Sequence, residues 1–208
     1  MKTTKKGLIA LAILLLGFVG FVFLQPDETT VERSLHMDAA PEQIYPLIYH
    51  LPNWEKWSTW KLSDPTMVNE YSEQKSGVGA YYTWTSENSG SGKLEITDAT
   101  VNESMQTSLN FDGQGQGRGY WKLVPDESGT TVTWGFVSDA DGSLMGKFFN
   151  LLMDSMLGSS LEDGLANISK LAAEAPAATL APAPAAQDST DMPTDSTTVA
   201  DTVSGGTE

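Results

Sequence analysis

Three hydrophobic periods follow one another along the chain. Residues 7 to 24, GLIALAILLLGFVGFVFL, are eighteen consecutive uncharged and strongly apolar positions. From Thr29 to Ser138 apolar side chains mostly alternate with polar ones, the period of strands with one buried face. From Ser143 to about Glu174, Leu144, Phe148, Leu151, Leu152, Met156, Leu157, Leu161, Leu165, Ile168 and Leu171 recur at steps of three and four. That spacing places them on adjoining faces of one long helix. Asp141, Gly142 and Ser143 supply turn and N-cap chemistry before it, and Pro176 stops it. A lone helix cannot bury so much apolar surface, so the strands before it must cover it.

The alternating region divides into seven strands. In Thr29 to Met37, Val31, Leu35 and Met37 share one face, and Glu32, Ser34 and His36 the other. A short helix follows, with Asp38 as N-cap, Pro41 in its first turn, and Ile44, Leu47 and Ile48 on its buried side; Pro46 keeps it short or bent. Trp54, Trp57 and Trp60, at a spacing of three, fit one side of a further helical turn. They read chiefly as a plug for one end of the core, and secondarily as a grip on a ligand. Six more strands are expected at Met67 to Ser72, Val78 to Thr85, Gly92 to Ala99, Ser104 to Phe111, Gly117 to Val124 and Thr130 to Ser138, with turn residues between them. Short connections imply an antiparallel meander. The fold class is therefore α+β, a seven-stranded antiparallel sheet wrapped around a long C-terminal helix.

Composition adds the two ends. The apolar run is long enough to cross a bilayer, at about 1.5 Å per residue. Lys2, Lys5 and Lys6 precede it and Asp27 and Glu28 follow, which predicts an N-terminus in the cytoplasm and the remainder outside. A cleaved signal peptide is the rival reading, but FVFLQPDE lacks the small-x-small pattern of a cleavage site. Residues 1 to 27 thus read as a cytoplasmic stub and single-pass signal anchor in the cytoplasmic (inner) membrane. Residues 28 to 174 read as one folded domain on the extracytoplasmic side. Residues 175 to 208, rich in Ala, Pro, Ser, Thr and Asp, lack the apolar side chains to offset ordering entropy and are expected to be disordered.

Charge and chemistry act mainly by exclusion. The net charge of −15 comprises +3 before the apolar run and −5 in the tail, leaving −13 between them. So acidic a domain repels phosphates, so nucleic acid is not an expected partner. The absence of cysteine removes disulfides, thiol catalysis and cysteine-bound metals. Two histidines make neither a zinc site nor a nucleophile-activating triad: His36 should face outward, and a charged His50 would suit the end of the first short helix. Gly113-Gln-Gly115-Gln-Gly117-Arg-Gly119 fails the phosphate-loop spacing and leads into a strand; its glycines suit a sharply bending strand. No metal or cofactor is expected.

Several segments carry a family resemblance. Ala40-Pro41-Glu42-Gln43-Ile44-Tyr45 and Leu51-Pro52-Asn53-Trp54-Glu55-Lys56-Trp57-Ser58-Thr59-Trp60, followed by Asp64-Pro65, come first. Gly77-Val78-Gly79-Ala80-Tyr81-Tyr82-Thr83-Trp84 and Gly129-Thr130-Thr131-Val132-Thr133-Trp134 follow. In this order they resemble the START-like, or SRPBCC, helix-grip superfamily, and within it the polyketide cyclase/dehydrase-like branch. Thr59 departs from the proline common at its position. The resemblance covers residues 29 to 173 and implies a hydrophobic cavity between sheet and helix, but no particular reaction.

Cavity-facing candidates follow from the alternation: Tyr82, Trp84, Leu94, Ile96, Met105, Leu109, Phe111, Trp121, Trp134 and Phe136 from the strands. Phe148, Leu152, Ser155 and Ser159 join them from the long helix, whose small residues Ser155, Gly158, Ser159 and Gly164 suggest room for a ligand. The leading expectation is a membrane-anchored binding module for a hydrophobic small molecule or lipid. One alternative is a cyclase/dehydrase-type enzyme, favoured if polar groups such as Tyr82 and Glu162 meet inside the cavity. Another is a protein-interaction module that works through its acidic tail or outer sheet face, with a vestigial cavity.

Overall fold

The computed structural model describes residues 2–113 and 115–174, so the expected disorder of the tail and the role of Pro176 lie outside the described residues. Helix α1 (Lys2–Phe23) contains the apolar run and is almost wholly exposed. Strand β1 (Glu28–Met37) follows, then α2 (Pro41–Tyr49), a 3-10 turn (Leu51–Asn53), α3 (Trp54–Trp57) and α4 (Thr59–Ser63). The meander comprises β2 (Val68–Tyr71), β3 (Tyr81–Ser86), β4 (Gly90–Thr100), β5 (Ser104–Phe111), β6 (Gly115–Asp126) and β7 (Gly129–Asp139), and α5 (Leu144–Glu174) ends the described chain.

The seven strands form one antiparallel sheet in the order β1-β7-β6-β5-β4-β3-β2. β1, the first strand in sequence, pairs with β7, the last, and forms one edge of the sheet, with β2 at the other. Register gives each strand an inner face toward α5. Val31, Arg33, Leu35 and Met37 stand opposite Phe136, Trp134, Val132 and Thr130. Trp134 in turn stands opposite Trp121, and Met105 opposite Trp121 from the other side.

The core lies between this inner face and the helices. Leu161, Leu165, Ile168 and Ala172 of α5 are buried, as are Ile44, Tyr45 and Ile48 of α2. Ser143 caps α5, its hydroxyl accepting the Gly146 N–H at 3.3 Å.

Local chemistry moves some expected boundaries. Asp38 is fully exposed and does not cap α2; Ala40 does, its N–H donating to the Gln43 side chain at 3.0 Å. A neighbour three residues along therefore supplies the partner the cap itself lacks. β3 begins at Tyr81 rather than Val78, because Gly77 and Gly79 hold positive φ of 90° and 87°. The tryptophan segment breaks at Ser58, which is extended and starts α4 at Thr59. Thr59 thus holds the first helical position, where proline is favoured but not required.

Candidate functional site

Two kinds of aromatic packing divide the inner face. At one end Trp54 and Trp57 descend from α3 onto Trp121 and Trp134. The latter two stack at 4.4 Å and 15°, and Trp57 meets them edge-on at 5.7 and 5.4 Å. The Trp54 and Trp57 indole N–H groups donate to the Ile48 and Leu47 carbonyls at 2.7 and 2.8 Å, which fixes both rings. Trp60 reaches Trp134 from α4 at 5.8 Å. This end is closed by tryptophan itself, as the plug reading expects.

The other end is an aromatic floor. Tyr82, Trp84, Phe111 and Phe136 run across the sheet with successive ring centroids 6.2, 5.5 and 6.4 Å apart. Glycine on the intervening strands makes this possible: a Cβ at Gly92 would overlap the Trp84 ring, and one at Gly117 the Phe136 ring. The Gly-rich stretch that leads into β6 therefore serves ring packing at Gly117 as well as the turn, where Gly113 and Gly115 have positive φ. Tyr82, Leu109 and Phe111 remain only partly buried although they adjoin the core, and Phe136 is partly buried too. The first half of α5 is itself largely exposed.

The remaining candidates distribute between these regions. Leu94, Ile96 and Met105 are fully buried in the sheet floor, with Trp84, Trp121 and Trp134 nearly so. Phe148 is half-buried, whereas Leu152, Ser155 and Ser159 are exposed on α5. The small residues of α5 have other work than leaving room. A Cβ at Gly158 would overlap the Arg33 guanidinium, and one at Gly164 the Trp134 ring. Space beside the helix at both glycines is already filled.

Arg33 shares the parity of Val31 and Leu35, which puts a charge on the apolar face. It pairs with Asp154 at 2.9 Å and Glu162 at 2.6 Å, pinning β1 to α5. Both carboxylates raise its pKa, mainly through hydrogen bonds. Since Glu162 is engaged there, at the β1 edge, it does not meet Tyr82 on β3.

Polar groups on the inner face are few. Burial first, and then the neighbouring Tyr71, raises the Tyr82 pKa well above its ordinary value, so the hydroxyl keeps its proton, and it has no hydrogen-bond partner among the described residues. The Asn69 Oδ1 and Trp121 Nε1 atoms are likewise buried without partners. Orphans of this kind cost about 1–3 kcal/mol each. Asn69 Oδ1 and the Tyr82 hydroxyl offer an acceptor and a donor beside the aromatic floor, whereas Trp121 Nε1 lies within the closed tryptophan end.

The histidines stay outside this chemistry. His36 faces outward beside Asp126 at 3.2 Å. His50 closes α2, but burial and then the nearby Lys56 and Lys75 lower its pKa, so its imidazole is held toward neutrality rather than charged. No group of three or more metal-ligating side chains occurs among the described residues.

A second polar hub is structural. The buried Asp64 carboxylate accepts from the hydroxyls of Ser86, Thr66 and Ser89 and from the Asn88 amide. It ties the turn after α4 to the β3–β4 hairpin, and these hydrogen bonds, Ser86 first, lower its pKa far below the usual carboxylate range.

Two open depressions, each of about 480 Å³, mark the outside. One lies between α4 and α5 (Thr59, Leu62, Ser160, Asn167), and the other on the outer sheet face (Lys93, Glu95, Asn110, Arg118). Neither lies over the aromatic floor.

Comparison with known proteins agrees with this architecture. No curated protein matches the chain. Among solved structures, a protein from Rhodobacter sphaeroides is 18% identical with a TM-score of 0.51, covering 71% of this chain and 94% of its own. One from Mesorhizobium loti is 14% identical with a TM-score of 0.52, covering 70% and 97%. The di-domain ARO/CYC StfQ from the steffimycin biosynthetic pathway is 12% identical with a TM-score of 0.55, covering 71% of this chain and 51% of StfQ. At these identities the likeness is one of fold. The model of the polyketide cyclase / dehydrase and lipid transport family matches residues 28–173, and the chain belongs to that family.

Proposed function

We propose that this chain is a membrane-anchored binding module that holds a hydrophobic or lipid-like small molecule between the inner face of the sheet and α5, outside the cytoplasmic membrane. The partly exposed rings of Tyr82, Phe111 and Phe136, set beside the buried Trp84, carry the reading, because rings left partly open on the inner face invite an apolar occupant. The inner face also carries only one charged side chain among the described residues, Arg33, and that one is spent on α5. Such a surface suits an uncharged or amphipathic molecule whose polar group finds Tyr82 or Asn69. The family, whose description includes lipid transport, supports a hydrophobic ligand. The apolar run of α1, with lysines before it and carboxylates after it, supports the tether and its orientation.

The test is extraction. The full chain purified in mild detergent should release a hydrophobic small molecule into organic solvent, detected by mass spectrometry. Leu109→Trp fills the half-open floor and should release much less while remaining folded. Equal recovery from both proteins, or nothing from either, would reject the reading.

One observation favours a second reading, a cyclase/dehydrase-type enzyme acting on an aromatic or polyketide-like substrate. The unpartnered Tyr82 hydroxyl, held protonated by burial, is placed to donate to a substrate carbonyl, with Asn69 nearby on β2. Tyr82→Phe separates the two. In an enzyme it abolishes loss of water from an added polyketide-like substrate while binding persists; in a carrier no conversion occurs with either protein.

A further inference from the structure

The first half of α5 is too apolar for the place it occupies. Met145 is 63% exposed, Phe149 48%, Leu152 41% and Met156 59%. Between Ser143 and Met153 the only charged side chain is Lys147, and it is not free to solvate this surface. Its ammonium donates to the carbonyls of Phe23 and Gln25 at 3.3 and 2.8 Å and lies 3.4 Å from the Asp27 carboxylate. Asn150, the other large polar residue here, is buried and donates to the Asp27 carbonyl at 2.8 Å. Both polar groups are thus turned toward the chain between α1 and β1, and the outward faces are left to Leu, Met and Phe.

That junction also fixes where this surface lies. Val22 of α1 is buried, and the rings of Phe18 and Phe148 meet edge-on at 6.2 Å. Phe18 stands six residues before the end of the apolar run, so Phe148 reaches about 9 Å along the run from its outer end. If α1 spans the bilayer over those residues, the start of α5 cannot stand clear of it. The exposed patch is continuous with the lipid-facing surface of the anchor.

We infer that the N-terminal half of α5, through Met145, Phe149, Leu152 and Met156, docks into the lipid leaflet where α1 ends. This rests on the anchored reading of α1 and adds to it a second contact, one that orients the domain. The occupant is lipid rather than a protein partner because the patch adjoins a surface that only acyl chains match. The contact is apolar, not electrostatic, since the domain between run and tail carries a charge of −13 and would gain nothing from anionic headgroups. A lipid-like ligand bound on the inner face would then enter from the leaflet by a route that avoids water.

The chain has no cysteine, so single labels report cleanly. Met145→Cys, Phe149→Cys and Leu152→Cys, each carrying an NBD fluorophore in the full chain, are reconstituted into phosphatidylcholine vesicles. Leu14→Cys in α1 and Val124→Cys on β6 serve as membrane and water references. The expected result is severalfold stronger quenching by doxyl-labelled lipid at 145, 149 and 152 than at 124, with weak quenching by aqueous iodide and little change at high salt. Iodide access at 149 and 152 equal to that at 124, with Leu14→Cys still protected, overturns the docking while leaving the anchor standing. Shielding from both quenchers overturns it too, since protein rather than lipid would then cover the patch. Iodide access at Leu14→Cys removes the anchor, and the docking with it.

Discussion

The two ends of the inner face are built from similar rings and end in opposite states. At the closed end Trp54 and Trp57 come from the separate helical turn α3, and their N–H groups are satisfied by the Ile48 and Leu47 carbonyls of α2. Four tryptophans then meet edge-on and stacked, with almost no exposure. At the open end Tyr82, Trp84, Phe111 and Phe136 form a second row; among the described residues only Trp54 reaches it from a helix, edge-on to Tyr82 at 6.2 Å, and three of the four stay partly exposed. Aromatic content does not distinguish core from site here. What distinguishes them is whether a second layer brings side chains to meet the first.

The largest effect should come from breaking the closed end. Trp57→Ala should lower the unfolding free energy by about 3–5 kcal/mol in denaturant titrations of the full chain in detergent. Phe111→Ala on the open floor should cost less than half as much, since less surface leaves water on folding. Equal losses would erase the distinction between the two ends. Next in size is Gly164→Ala. Helix propensity alone would stabilise α5 by roughly 1 kcal/mol, but overlap with the Trp134 ring should destabilise by about 1–3 kcal/mol instead. A stabilised variant would mean that space beside α5 is free for a ligand after all.

The smallest effect concerns pH. Asp64 and Asp126 have folded pKa values below their ordinary ones, Asp126 at about 2 through hydrogen bonds from Ser128 and then His36. Each therefore contributes stability that is fully present above the ordinary carboxylate pKa of about 4 and is lost as pH falls through the folded value. Asp64→Asn should flatten the acid limb of the stability profile and leave the neutral-to-alkaline part parallel to wild type. An unchanged acid limb would separate the Asp64 hub from the stability of the hairpin it holds.

Much of the fold was legible because periodicity reports burial directly. Strand alternation from Val31 to Phe136 and the three-four spacing from Leu144 to Ile168 required no knowledge of partners. Boundaries failed where backbone angles, not side-chain polarity, decided them, as at Gly77 and Gly79, and where a cap was completed from three residues away, as at Ala40. The candidate site was less legible for a physical reason. Alternation assigns a residue to a face but does not say what stands over it, so buried Met105 and half-open Phe111 look alike in sequence. The glycines of α5 show the same limit: smallness at Gly158 and Gly164 signalled space, and only the structure places Arg33 and Trp134 in it. Arg33 itself carried a usable signal, a charge in step with Val31 and Leu35, which calls for carboxylates on the facing helix.

Photo-crosslinking addresses the central claim most directly. The full chain in vesicles is irradiated with a diazirine-bearing alkyl probe, and the labelled peptides are mapped by mass spectrometry. Labelling should concentrate on the strands that carry Tyr82, Trp84, Phe111 and Phe136, should be competed by the extracted molecule, and should disappear from those strands in Leu109→Trp. Label confined to α1, the exposed turns of α5 or the outer sheet face, with the floor unmarked, would contradict a hydrophobic binding site on the inner face.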